Sequence, residues 1–531
     1  MLNRSRRPAR ATAVLSSVLA TVLLASCTSA VGERRDAADG TPVDGGTVRI
    51  GALTDLRPKN LYAAATTAEQ VVSGLVFDTL TSYATDDGSG AGSLTPQPAL
   101  AESWEVSDDG LTVTLHLRNG VLFHDGSPFT SADVAASLAN YADPTHSGQL
   151  ARTAALVGDV DTDDPATAVL HLTRRVNNLF DLFDIVPVID DKEVDAFNAG
   201  TGFNGTGAFR FGTRHPGAGL ELPAYDAYWG GAPRLDAAEL VVVPDERTLY
   251  SQLRSGQLDV VSDAGARDAE ALENNGLFRV LDRTGVDGNI YAGLNTLHPG
   301  LTDVRVRRAI GSAIDRDRIL EEVFRGRGRT TSLPWPTYSP AYDEAANEHY
   351  IRDPGLARQL LTDAGGAESI PEIPVSYTAG SASEQNIAQI IAANLEEIGL
   401  RTRLDPQENA VMIDRLRGGN FDGIWVLGHS FAQYTPSTLP VSAFPFNSEK
   451  NASNFLDEDY ATDATDAWTV ADPDSREASG IYRRLNNDLL EDAFVLELVA
   501  PDSPLVTTSA LHGVNWSKRS EPDLAHAYLT E

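Results

Sequence analysis

Polar and apolar residues alternate one by one along Thr112-Val113-Thr114-Leu115-His116-Leu117, the period of a strand with one buried face. Asp109-Gly110 just before it is a turn signal. Thr47-Val48-Arg49-Ile50 and the run from Leu240 to Val243, closed by Pro244, predict further strands. Elsewhere the period lengthens. Val306 to Leu320 places apolar residues at helical spacing, with Asp303 as N-cap and Arg318 near the end. Ile387 to Ile398 reads as a second amphipathic helix, stopped by Gly399. Thr130 can cap a helix that opens at Ser131, and Asp133 can reach back to it. Strands alternating with helices predict an α/β architecture.

One apolar stretch fits neither period. Ala11 to Leu24 follows Arg4, Arg6, Arg7 and Arg10 and is too short to span a bilayer as a stable helix. It ends in Leu24-Ala25-Ser26-Cys27, which resembles the bacterial lipobox. That resemblance implies a signal peptide over 1–27, a diacylglycerol on the Cys27 thiol, and a chain anchored to the cell membrane on its extracytoplasmic side. Cys27 is the sole cysteine, so stability has to come from burial rather than disulfides. Residues 28–46, rich in Ala, Asp, Gly and Thr, read as a flexible tether, with the globule expected from Thr47.

A chain of 531 residues exceeds what one core holds, so at least two domains are expected. Hydrophobic residues at 42% and charged residues at 22% are ordinary globular values. The net charge of -33 argues against nucleic acid as a partner, because phosphate binding needs a basic surface. GxSxG, HExxH and P-loop patterns are absent, and the histidines are scattered. Carboxylates are abundant enough that counting alone leaves a glycosidase-like pair open. A secreted hydrolase and a surface scaffold are therefore the competing classes.

Several stretches then occur in a particular order. Ala99-Leu100-Ala101-Glu102-Ser103-Trp104 runs on to Ser107-Asp108-Asp109-Gly110-Leu111-Thr112. Leu117-Arg118-Asn119-Gly120-Val121-Leu122-Phe123-His124-Asp125-Gly126-Ser127-Pro128-Phe129-Thr130 follows. Next come Asn204-Gly205-Thr206-Gly207-Ala208-Phe209-Arg210 and Tyr228-Trp229-Gly230-Gly231-Ala232-Pro233-Arg234-Leu235. Asp303-Val304-Arg305-Val306-Arg307-Arg308-Ala309-Ile310 and Ala313-Ile314-Asp315-Arg316 complete the series. Together they resemble the family 5 (peptide/nickel/oligopeptide-binding) extracytoplasmic solute-binding proteins, over nearly the whole chain beyond the leader.

The resemblance implies a two-lobed, periplasmic-binding-protein type II-like α/β fold with an extra subdomain in lobe one. Lobe one would cover 47–290 plus 501–531, its subdomain about 80–204, and lobe two 291–500. It implies a monomeric lipoprotein that captures a peptide or peptide-like solute between its lobes and hands it to the permease subunits of an ABC importer, with no catalytic residues, cofactor or metal. The ligand walls would come from Arg57 and Asn60 after the first strand, Tyr291 and Asn295 at the crossing, Trp335 in Pro334-Trp335-Pro336, and Trp425, His429, Phe431 and Tyr434. Many peptide-binding members carry an aspartate where this chain reads His429, and it pairs with the peptide's α-ammonium. Metal chelates, sugars and opine-like solutes therefore stand beside peptides as ligands. As a wall residue, His429 should be replaceable by Ala with weaker ligand binding and little loss of thermal stability.

Overall fold

The computed structural model describes residues 41–531 apart from 64–65, 87–91, 147, 263–264, 284, 287 and 503. The expected leader, Cys27 and most of the expected tether lie outside the described residues. The globule takes hold of the chain before Thr47: Pro42 and Val43 pair with Thr530 and Leu529, and the Gly46 N–H donates to Asp236 Oδ2 at 2.9 Å.

Three sheets organise the rest. In the first, of seven strands, Thr47–Ala52 is parallel to both Ala237–Val242 and Val260–Val261. Pro504–Thr508 returns antiparallel between Val260–Val261 and Phe278–Asp282. In the second, of six strands, Asn289–Leu294 lies antiparallel between Ile424–His429 and Val495–Ala500, and Ile373–Thr378 is parallel to Ile424–His429 and Thr402–Gln407. Val495–Ala500 is buried at every position and apolar except at Glu497, as suits a strand covered on both faces. The third sheet is antiparallel and four-stranded, in the order Ala101–Val106, Thr112–Leu117, Thr167–Leu172, Val157–Asp164. The alternation read from the sequence is its cause: Val113, Leu115 and Leu117 face inward.

The chain passes from the first sheet to the second between Asp282 and Asn289 and returns between Ala500 and Pro504. The result is two lobes, with the four-stranded sheet as an extra subdomain packed on the first. Each lobe has its own apolar core, one around Val48, Leu75 and Phe209, the other around Tyr291, Ile310 and Trp425.

Local signals explain most helix ends. Thr130 caps Ser131–Ala142, and Asp133 Oδ2 accepts from its N–H at 2.7 Å. Ala382–Glu397 stops ahead of Gly399, whose φ of +93° suits glycine. The single helix expected over Val306 to Leu320 is two, Val304–Ala313 and Arg316–Phe324. Asp303 caps the first, and Asp315 restarts the chain by accepting from the Arg318 N–H at 2.9 Å. At that break Arg316 enters the core. It donates to the carbonyl oxygens of Thr331 (3.2 Å), Glu497 (2.8 Å), Gly311 (2.9 Å) and Tyr350 (3.0 Å).

Candidate functional site

A solute can touch both lobes only at the seam between them, and the sequence-predicted residues are unevenly placed around it. Tyr291, Trp335 and Trp425 are fully buried in the second lobe. The Tyr291 hydroxyl accepts from Trp425 Nε1 at 3.3 Å. Trp425 stacks on Phe421 with centroids 4.2 Å apart and covers Gly293, where a Cβ would fall 2.1 Å from the indole. Trp335 Nε1 donates to Asn486 Oδ1 at 2.6 Å. Asn295 Nδ2 donates to Phe421 O at 2.6 Å, and its Oδ1 accepts from the Leu297 N–H at 3.0 Å. The three rings of Tyr291, Trp335 and Trp425 are closed over by their own lobe, and the polar atoms of both indoles are matched inside it.

Arg57 grips buried Glu69 through Nε and Nη2 at 2.8 and 3.2 Å. The same carboxylate closes the capping box at Thr66. The Asn60 side chain lies outside the described residues. Phe431 is half-buried against the second core. His429 Nε2 meets Glu497 Oε1 at 2.8 Å, with both side chains 3% exposed, and its ring rests on Phe446 at 4.9 Å. It is one half of a buried pair rather than a lone wall imidazole. Tyr434 leaves its own lobe. Its ring joins the first core, 6.1 Å from Tyr83, and its hydroxyl donates to Asp184 Oδ2 at 3.0 Å.

Asp184 belongs to Leu179–Ile185, a subdomain helix whose two carboxylates, Asp181 and Asp184, sit three residues apart among apolar side chains. That spacing puts both on one face, and the face is turned to the second lobe. Asp181 accepts from the Thr435 N–H (3.2 Å), Thr435 Oγ1 (3.0 Å) and Thr438 Oγ1 (2.6 Å), and from Tyr83 Oη at 2.8 Å. Asp184 also accepts from the Tyr83 N–H at 3.0 Å. Burial pushes the Asp181 carboxyl up to about 6 and the Asp184 carboxyl up to about 7, while these donors pull the other way. From the C-terminal tail, buried Lys518 donates to Tyr338 Oη at 3.1 Å and to Gln433 O at 3.2 Å. Its ammonium lies over the Tyr338 ring at 4.4 Å. Arg325 with Glu270 (3.2 Å), Arg327 with Asp282 (3.0 Å) and Arg152 with Glu449 (2.5 Å) join the lobes at the rim. Sequence reasoning missed these seam residues. The paired acids in an apolar helix were a visible signal; Lys518 carried none.

Beside the seam the first lobe holds a cavity of about 670 Å³. Tyr83 and Asp184 line it together with Asp78, Trp229, Glu521 and Asp523. Asp78 accepts from Trp229 Nε1 and Thr206 Oγ1, both at 2.8 Å, and burial holds its carboxyl above the usual range. The lining of this cavity mixes rings, hydroxyls and carboxylates. Among the described residues one carboxylate group has metal-like spacing, Asp133, Asp190 and Asp191. Asp133 is occupied by the helix cap and the Asp191 N–H, and Asp190 by Asn204 and the Lys192 N–H. No helix among the described residues is long and apolar enough to cross a membrane.

The family model for bacterial extracellular solute-binding proteins, family 5 (middle), matches residues 95–451. Heme-binding protein A of Haemophilus influenzae is 29% identical over 340 residues, which cover 59% of this chain and 62% of that protein. The chain thus aligns with less than two thirds of that relative. Di/tripeptide-binding protein 2 of Pseudomonas aeruginosa is 29% identical over 360 residues, 62% of this chain and 67% of the relative. The structure of the oligopeptide-binding protein AppA from Bacillus subtilis, in complex with a nonapeptide, superposes with a TM-score of 0.78 at 20% identity, covering 92% of this chain and all of that one. These relatives are named as binding proteins, not as enzymes.

Proposed function

The chain belongs to the bacterial extracellular solute-binding proteins of family 5, and from that premise we propose that it is the lipid-anchored capture subunit of an ABC importer for a peptide or peptide-like solute. The observation that carries this reading is the seam, where Gln433, Tyr434, Thr435 and Thr438 of one lobe meet Asp181, Asp184 and Lys518 of the other. Two lobes that touch in this way enclose a guest only when closed. A solute with contacts on both sides therefore shifts the population toward the closed form, and a permease can read that shape.

In this reading lobe one spans 47–290 and 501–531, with its subdomain at about 80–204, lobe two spans 291–500, and Cys27 carries the lipid. A peptide-like guest is favoured by the di/tripeptide-binding relatives. A metal chelate is the second reading, because a heme-binding relative aligns at the same identity as the di/tripeptide-binding one. Mass spectrometry of solute copurifying with the full chain, followed by scattering with and without that solute, tests the proposal. A peptide-like mass with binding to both lobes supports it; a chemically converted product overturns it. Replacing Cys27 with Ala should move the protein from the membrane fraction to the soluble one, and unchanged fractionation would remove the anchor from the proposal.

A further inference from the structure

Trp468 is the penultimate residue of Glu458–Thr469 in the second lobe. It is 3% exposed, yet it belongs to neither apolar core. The subdomain of the other lobe is what encloses it. Its Nε1 donates to Asn178 Oδ1 at 2.6 Å. The Arg174 guanidinium lies 4.1 Å from the ring centroid and that of Arg152 lies 5.6 Å away. The main chain follows the side chain: the Asn177 N–H donates to Trp468 O at 3.0 Å, and Asn177 Nδ2 donates to Ala467 O at 2.6 Å.

Tyr434 does the same a short way along the seam, through Asp184 and the Tyr83 ring. The span between these two anchors is bonded as well. Asn178 Nδ2 donates to Thr438 Oγ1 at 2.9 Å, Ser437 Oγ donates to Asn177 Oδ1 at 2.7 Å, and both hydroxyls of Thr435 and Thr438 reach Asp181. The bonds of this strip join the two lobes directly.

We propose that Trp468 and Tyr434 form a latch through which the extra subdomain draws the second lobe closed without a solute. The two lobes fold around separate cores, so an aromatic ring belonging to one and enclosed by the other serves the relation between them rather than the stability of either. Indole over guanidinium is attractive, and each matched donor adds to it. A solute then needs only a small differential contribution to complete closure.

Small-angle scattering of the full chain, with absence of solute checked by mass spectrometry, reads the closure equilibrium. The solute-free wild type should already populate the compact form in part, with a radius below that of Trp468→Ala. Trp468→Ala should enlarge it, and Tyr434→Phe, which removes only the hydroxyl, should enlarge it less. Hydrogen exchange at the Asn177 amide gives a second readout, with exchange on the order of tenfold faster in Trp468→Ala, as loss of one such bond and its ring contacts implies. A solute-free wild type with an extended radius and an unprotected Asn177 overturns the latch. So does a Trp468→Ala chain that stays compact and protected. Should that variant not fold, the wild-type measurement and Tyr434→Phe still decide. Capture of a solute is judged separately, by whether any solute binds at all.

Discussion

Raising the pH from about 5 to about 7 should loosen the seam, and Asp184 is the main cause. Its carboxyl is buried, and loss of water moves it from 3.8 up to about 7; Asp181 beside it moves up to about 6. The facing groups divide: the Tyr434 hydroxyl, the Tyr83 N–H and Lys518 favour the ionised form of Asp184, and Glu521 opposes it. When the lobes part or the chain unfolds, water returns and the ordinary value is restored. The closed, folded state therefore holds more protons than its alternatives inside this window. A carboxyl raised in this way contributes stability that is complete below its ordinary value and is lost as pH climbs through the raised one. Each pH unit inside the window costs about 1.4 kcal/mol per group, so between about pH 5 and pH 7 Asp184 alone removes about 3 kcal/mol and then levels off. Thermal melts of the wild type and Asp184→Asn at fixed ionic strength isolate that contribution. Asn keeps the shape and an acceptor for the Tyr83 N–H but does not titrate, and the general effect of a net charge of -33 is common to both chains. The wild type should lose stability relative to the variant across this range. Parallel profiles would refute the reasoning.

Two further substitutions test the packing beneath the site. His429→Ala leaves buried Glu497 Oε1 without its 2.8 Å hydrogen-bond partner, so it should destabilise by about 1–3 kcal/mol in denaturant unfolding. That reverses the small effect expected when His429 was read as a wall residue. Gly293→Ala drives a Cβ to 2.1 Å from the Trp425 indole, and a drop of about 1–3 kcal/mol or more in the same assay is expected as the stack on Phe421 shifts; an unchanged midpoint would mean that the indole moves freely.

What was legible in the sequence was what depends on near neighbours. Thr112–Leu117 reads as a strand because one face is buried along its whole length, and Thr130 with Asp133 reads as a cap because both partners lie within one turn. The apolar period running through Ile314 concealed the restart at Asp315, since the buried Arg316 that occupies the break bonds carbonyls as far away as Glu497. The surroundings of the candidate site residues were illegible for the same reason on a larger scale. Whether an aromatic is wall or core depends on what lies opposite it. For Trp335 that is Asn486, for Trp468 it is Asn178, and these partners stand 151 and 290 residues apart in the chain. No local pattern in the sequence encodes such pairings.

The chemistry of the seam differs from that of the cores for a reason that bears on function. Two lobes joined by an apolar interface would behave as one core and would not part in water at a useful rate, because burial of apolar surface is the dominant favourable contribution in folding. Here the facing groups are carboxylates, hydroxyls, amides, one ammonium and guanidinium groups. Such groups are satisfied by water almost as well as by one another, so each bond contributes only about 0.5–1.5 kcal/mol net. Closure built from them is specific in geometry and modest in free energy, as a reversible trap requires. The two aromatics that cross the seam bias that balance without fixing it, since Tyr434 ends in a hydroxyl on Asp184 and Trp468 in an N–H on Asn178. Titration of Asp184 then acts directly on one of the two anchors, which is why pH should move closure even where no solute is present.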